Sequence, residues 1–193
     1  MNKLARSDLF SLEDYAEKRP DFRNKVIEHK QHRSISLGHH LRLYFEDRLT
    51  IQYQIQEMLR IEKVFETSGI QEELEAYNPL IPDGSNLKAT FMIEYEDVDE
   101  RRQALQDLLG IEQKIWIQVA DQAPVFAIAN EDLERSTDEK TSAVHFLRFE
   151  FDDQSISLSK AEAAITLGAS HPVYSESVQL AEEARASLVA DFD

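Results

Sequence analysis

Hydrophobic and polar residues alternate along several short segments of the chain. The clearest are "LKATFMIEY" at residues 87–95 and "TSAVHFLRFEFD" at residues 141–152. Because successive side chains of a strand point to opposite faces, this alternation predicts strands with one buried face. Shorter strands are predicted in "ISLG", "LRLYFE", "QKIWIQVA" and "PVFAIA", and the last two are expected to form a hairpin.

Other segments show the three-to-four-residue spacing of amphipathic helices. The longest is "DRLTIQYQIQEMLRIEKVFETSG", which predicts one helix from about residue 47 to residue 68. The N-terminal region is predicted to be helical to about Arg33. Ser175 is predicted to cap a last helix that runs to about Ala190, since serine is a preferred N-cap residue.

Short strands interleaved with helices favour the α+β class. A doubly wound parallel sheet would need regular strand–helix alternation, and residues 111–152 show none. We expect a single domain over residues 1–193, with a mostly antiparallel sheet of about six or seven strands and about four or five helices. A basic helical N-terminal arm is expected at about residues 1–35.

One histidine interrupts the predicted strand at residues 141–152. Counting by twos places His145 on the same face as Leu147 and Phe149. A histidine on such a face needs a hydrogen bond, because an unpaired buried polar group costs about 1–3 kcal/mol. Glu62 lies in the apolar stripe of the predicted 47–68 helix and also needs a partner there. We therefore expect His145 to be more than about 90% buried and hydrogen bonded, with Glu62 as the favoured partner.

A pair formed by His145 and Glu62 permits two interpretations. It is either a structural link that fixes the packing of the core, or a functional carboxylate–histidine site that binds a metal ion or performs acid/base catalysis. Both residues are therefore candidates for catalysis and for metal binding. If the predicted helix turns a different face to the core, Glu62 is not buried there and the partner of His145 is not identified.

The composition narrows the possible chemistry. The chain contains no cysteine, which excludes disulfides, iron–sulfur ligation, thiolate zinc sites and a cysteine nucleophile. Phosphate-binding, dinucleotide-binding, zinc-protease and serine-hydrolase motifs are also absent from the sequence. The sequence thus indicates no particular reaction and no particular cofactor.

Charge is unevenly distributed. The net charge is −16, which argues against nucleic-acid binding, because phosphate neutralisation needs clustered Lys and Arg. Residues 1–50 hold ten Lys and Arg against eight Asp and Glu, whereas the rest of the chain holds eleven against twenty-nine. The basic helix either packs along an acidic body or binds an anionic ligand or an acidic partner. The candidates for ligand or partner binding are Arg19, Arg23, Lys30, Arg148 and Glu150.

The sequence gives no sign of export or of membrane insertion. The start, "MNKLARSDLF", lacks the apolar region of a secretory signal. The longest apolar stretch, "IWIQVADQAPVFAIA", is interrupted well short of a membrane span. We expect a soluble cytoplasmic protein that does not bind membranes.

Several longer segments together resemble a known family. "SLEDYAEKRPDFRNKVI", "FEDRLTIQYQIQEMLRIEKVFE", "YNPLIPDGSNLKATFMIEY" and "DLERSTDEKTSAVHFLRFEF" are similar to a bacterial family of uncharacterised proteins, domain of unknown function 3501. The resemblance runs from about residue 3 to Tyr174. It implies an accessory role in a redox or peroxide-stress system, with an iron–sulfur or rubrerythrin-like protein as partner. The uneven charge and the lack of a catalytic motif favour a non-enzymatic form of that role. The chain itself has no cysteine and so is not the iron–sulfur carrier.

Overall fold

The structure is a computed structural model that describes residues 2–133 and 135–193. Over these residues the predicted α+β class is confirmed. No helix in the described residues is both long enough and apolar enough to cross a bilayer. The helices are α1 (Leu12–Gln31), α2 (Arg48–Glu62), α3 (Thr67–Tyr77), α4 (Val98–Asp107), α5 (Asp153–Lys160) and α6 (Glu182–Val189).

The strands pair antiparallel throughout. They form a large sheet in the order β1-β2-β3-β7-β6 and a small sheet in the order β5-β4-β8-β9. The strands are β1 (Ser34–Leu37), β2 (Leu41–Glu46), β3 (Asn86–Ile93), β4 (Ile115–Val119), β5 (Val125–Phe126), β6 (Ile128–Ala129), β7 (Val144–Glu150), β8 (Ile165–His171) and β9 (Tyr174–Gln179).

The strands divide into two sheets where the sequence predicted one. The predicted hairpin is real for β4 and β5, in which Trp116 pairs with Phe126. After Ala127 the chain leaves β4, and Ile128 pairs with Arg148 of the large sheet instead. The segment "PVFAIA" therefore contributes to both sheets, a division that its alternation does not reveal.

Two predicted helix boundaries are wrong. The 47–68 helix ends at Glu62, because Lys63 takes a left-handed conformation with a φ of 56°, and α3 begins only at Thr67. Residues 174–179 form strand β9 rather than the start of the last helix, since Ser175 pairs with Ser170 across the β8–β9 hairpin.

The two sheets enclose the main core. Alternate residues of β2, β3 and β7 point toward the small sheet and are buried. In one row across the large sheet, Leu43 pairs with Phe91 and Phe91 pairs with His145. Apolar residues of β4 and β8 complete this core, among them Ile115, Ile117, Val119, Ile165 and Leu167.

A second, smaller core lies among the helices. It consists of Leu4, Ile51, Ile55, Leu59, Leu74 and Ile81, and none of these residues belongs to a strand. The basic arm packs along α2 in this region: Arg19 donates hydrogen bonds of 2.8 and 2.9 Å to the two carboxylate oxygens of Glu57. These bonds, against the opposing effect of burial, lower the pKa of Glu57 to about 2.

Arg33, just after α1, ties the C-terminal turn of the chain to the large sheet. Its side chain is buried and donates to the backbone oxygens of Phe45, Glu46 and Ser187 at 2.9–3.1 Å. The guanidinium also forms an ion pair with Asp191, which is itself buried. Because a buried charge is stable only when paired and hydrogen bonded, this arrangement holds the C-terminal turn against β2.

Candidate functional site

His145 lies on the buried face of β7 and is 0% exposed, so its predicted burial is confirmed. Its Nε2 lies 3.0 Å from the backbone oxygen of Ser142 and 2.8 Å from Oγ1 of Thr141. Since a carbonyl oxygen only accepts, Nε2 carries the proton and Nδ1 accepts from the Asn130 amide at 3.0 Å. Burial lowers the pKa of His145, with Glu112 acting in the opposite direction, and this favours the neutral ring.

The carboxylate beside His145 belongs to Glu112, which is 3% exposed. Its Oε2 lies 3.9 Å from Nε2 of His145, and the Thr141 hydroxyl bridges the two at 2.8 and 3.1 Å. Ser136 donates to the other carboxylate oxygen at 3.0 Å. The predicted hydrogen bonding of His145 is therefore confirmed, with a different carboxylate nearby.

The predicted pairing of His145 with Glu62 is wrong. Glu62 is the last residue of α2 and is exposed, because the helix ends there and its buried face stops at Leu59. The large sheet also separates the two residues. His145 points toward the small sheet, whereas the neighbouring Phe146 points to the opposite face, on which α2 lies.

The cluster around His145 is closed. Both ring nitrogens contact protein groups, and none of the buried side-chain polar atoms in the described residues lacks a hydrogen-bond partner. No group of three His, Asp or Glu suited to a metal ion occurs among the residues that the structure describes. These contacts join Asn130, Ser136 and Thr141 to the core and enclose the ring of His145.

The opposite face of the large sheet is only partly covered. Alternate residues of β3 and β7 on this face are half-buried, although several are apolar. The second core involves no strand residue, so the helices pack on one another rather than tightly onto β3 and β7. This face consists of three cross-strand rows, Glu46–Lys88–Arg148, Tyr44–Thr90–Phe146 and Arg42–Met92–Val144.

Two neighbouring cavities of about 400 and 700 Å³ lie between this face and the helices. Both are lined by Tyr77 and Leu80 from the helical side and by Phe146 from the sheet. We call the two cavities together the cleft. Their sizes fall within the range of about 300–1,000 Å³ that is typical of small-molecule sites, and their walls are mainly apolar with a few polar groups.

The polar groups of the cleft differ in how they are paired. Glu46 is 9% exposed and accepts from the hydroxyls of Thr50 at 2.6 Å and Thr90 at 2.8 Å. Lys88, directly opposite Glu46 in the sheet, donates instead to the backbone oxygen of Pro79 at 2.5 Å. Burial lowers the pKa of Lys88.

The binding candidates predicted from the sequence lie in different places. Lys30 lines the smaller cavity and Arg148 the larger one. Arg148 bonds Glu131 through two nitrogens at 2.8 Å and also pairs with Glu150, which is exposed. Arg19 is held by Glu57, and Arg23 is exposed on α1. The structure thus brings only Lys30 and Arg148 to the cleft.

Local sequence patterns do not identify the polar residues on the floor of the cleft. Glu46 is the last polar residue of "LRLYFE", and Lys88 is the first polar residue of "LKATFMIEY". Both lie on the face of the large sheet that is opposite the core. Their alternation was visible, but it is equally typical of a face exposed to water. Only the register of the strands and the position of the helices place Glu46 in the smaller cavity and Lys88 in the larger one.

Fold and cleft together define an α+β protein with an open site between one sheet and a helical layer. The chain belongs to the family described as "Protein of unknown function (DUF3501)", whose model matches residues 3–192. It is similar to the crystal structure of a novel protein of unknown function from Burkholderia pseudomallei K96243, with 53% sequence identity, a TM-score of 0.95 and 100% of both chains covered. No curated protein matches the chain.

The closed cluster predicts a structural role for His145. His145→Ala should lower the free energy of unfolding by about 3 kcal/mol or more, because Glu112, Thr141 and Asn130 lose a buried partner. Urea unfolding measures the change. His32→Ala, an exposed position at the end of α1, is the control and should unfold like the unchanged protein. Equal stability of both variants would contradict the structural role.

Proposed function

We propose that the protein is a non-enzymatic binding protein whose ligand site is the cleft. The observation that carries this proposal is the half-burial of apolar residues on the helix-facing side of β3 and β7. Met92, Val144 and Phe146 would gain from further burial, at about 25 cal/mol per Å² of apolar surface. A ligand in the cleft would supply that burial, while the mixed polar groups would orient it.

The arrangement of the polar groups supports binding rather than catalysis. Glu46 accepts hydrogen bonds at both carboxylate oxygens, and the ammonium of Lys88 is held by a backbone oxygen. The two hydroxyls that contact Glu46, those of Thr50 and Thr90, hold its carboxylate in place. The carboxylate–histidine alternative places its histidine in a closed core, away from the cleft.

We also propose, from the family resemblance, that this binding role is an accessory one in a redox or peroxide-stress system. The partner would be an iron–sulfur or rubrerythrin-like protein. The exposed cations of α1, among them Arg23 and Lys25, offer an acidic partner a charged surface. Such surfaces accelerate association and make it depend on salt concentration.

Filling the cleft should weaken binding of an apolar probe. The fluorescent dye 8-anilinonaphthalene-1-sulfonate should bind the unchanged protein, and Val144→Trp should weaken that binding about tenfold or more by occupying the smaller cavity. Leu80→Trp fills the cleft from the helical side and should act in the same way. Val98→Trp, at the exposed start of α4, is the control. Equal dye binding by all four proteins, each checked for cooperative unfolding, would contradict the proposal.

Reversing charge on α1 should remove the redox partner. Tagged protein should capture an iron–sulfur or rubrerythrin-like protein from native lysate at low salt, identified by mass spectrometry, and the double variant Arg23→Glu, Lys25→Glu should not. Arg19 is left unchanged because it holds Glu57. Lys140→Glu, at another exposed position, is the matched control. Recovery of no redox protein by the unchanged chain would overturn the accessory role.

A further inference from the structure

Two opposite charges line the smaller cavity without pairing with each other. Glu46 comes from β2 and Lys30 from the last turn of α1. The ammonium of Lys30 forms neither a hydrogen bond nor an ion pair with any residue that the structure describes, and Glu46 has no cation within ion-pair distance among those residues. Each charge is therefore available to a group of opposite sign inside the cavity.

The environment of Glu46 favours a cation from outside the chain. Its carboxylate is held in place by Thr50 and Thr90, and it is nine-tenths buried. The cation that the strand register places opposite it, Lys88, is turned away to Pro79. A buried carboxylate with hydrogen bonds but no countercharge retains a strong attraction for an ammonium group, since charges interact more strongly at low dielectric.

The rest of the cavity favours an apolar body. Tyr44, Tyr77 and Phe146 present aromatic rings, and Val144 and Met92 present aliphatic surface. Aromatic faces also attract cations, which reinforces the preference of Glu46. Phe146 and Tyr77 lead on into the larger cavity, so the apolar part of a ligand has room to extend beyond the charged pair.

We propose that the cleft binds a small aminocarboxylate, with its ammonium on Glu46, its carboxylate on Lys30 and an apolar body against Phe146. This inference rests on the proposed function and names the chemical class of the ligand. A zwitterion satisfies both charges at once, whereas a simple amine leaves Lys30 unpaired and a simple acid leaves Glu46 without a countercharge.

A matched panel of compounds tests the class. Isothermal titration calorimetry on the full chain compares L-phenylalanine with phenethylamine, which lacks the carboxylate, and with 3-phenylpropionate, which lacks the ammonium. A second set, 6-aminohexanoate with hexylamine and hexanoate, covers a wider charge separation. We expect at least one zwitterion to bind, and each of its single-charge analogues to bind about tenfold more weakly or worse.

Two variants assign the contacts. Glu46→Gln should weaken zwitterion binding about tenfold or more and should no longer discriminate the zwitterion from the acid analogue. Lys30→Met should also weaken zwitterion binding about tenfold or more, and it should bind the zwitterion and the amine analogue with similar affinity. Glu28→Gln, at an exposed position of α1, and Lys140→Met, at an exposed position outside the cleft, are the matched controls and should bind as the unchanged protein does. Lys30 is half-buried at the cavity wall, so its variant remains informative even where Glu46→Gln fails to fold.

Several outcomes would overturn the inference. If the amines, phenethylamine and hexylamine, bind as tightly as the corresponding zwitterions, the Lys30 contact is excluded. If the acids, 3-phenylpropionate and hexanoate, bind as tightly as the zwitterions, the Glu46 contact is excluded. Dye binding in the cleft without binding of either zwitterion removes the aminocarboxylate and leaves the proposed function intact. If neither the dye nor a zwitterion binds, both the aminocarboxylate ligand and the proposed function of the cleft are excluded.

Discussion

The alternation of side chains along β3 and β7 is the constraint on which the rest of the structure depends. Each strand sends one set of residues into a closed core against the small sheet and the other set toward the helices. A strand has no freedom to vary this division, because its period is two. The helices complete a core of their own around Ile55 and Leu59, and the second set of strand residues consequently borders the cleft.

This division separates two polar clusters of opposite character. His145 and Glu112, on the core side, are bridged by Thr141 and enclosed by protein groups. Such a network stabilises one packing arrangement and has no capacity left for a ligand. Glu46, on the helix side, is oriented by two threonines, but its carboxylate has no cation within ion-pair distance among the described residues. A polar group with fixed geometry and an unmatched charge is the more suitable element of a binding site.

The hydrophobic and polar pattern of a single segment predicted the features that depend on one strand or one helix alone. The alternation around His145 was sufficient to predict its burial and its need for hydrogen bonds. It was not sufficient to name Glu112, which lies in a short 3-10 turn without periodicity. Glu62 failed as the partner because the end of α2 and the intervening sheet are properties of the assembled fold. The cleft likewise depends on how a helical layer rests on a sheet, which no single segment encodes.

The most direct test of the cleft as a ligand site uses its methionine. Met92 lies on the floor of the smaller cavity, whereas Met58 on α2 lines neither cavity. NMR spectra of the protein, labelled with ¹³C at the methionine methyl groups, can be recorded before and after addition of the low-molecular-weight fraction of a cell lysate. If the cleft is a ligand site, the Met92 resonance shifts while the Met58 resonance stays in place. An unchanged Met92 resonance would contradict a ligand site in the cleft.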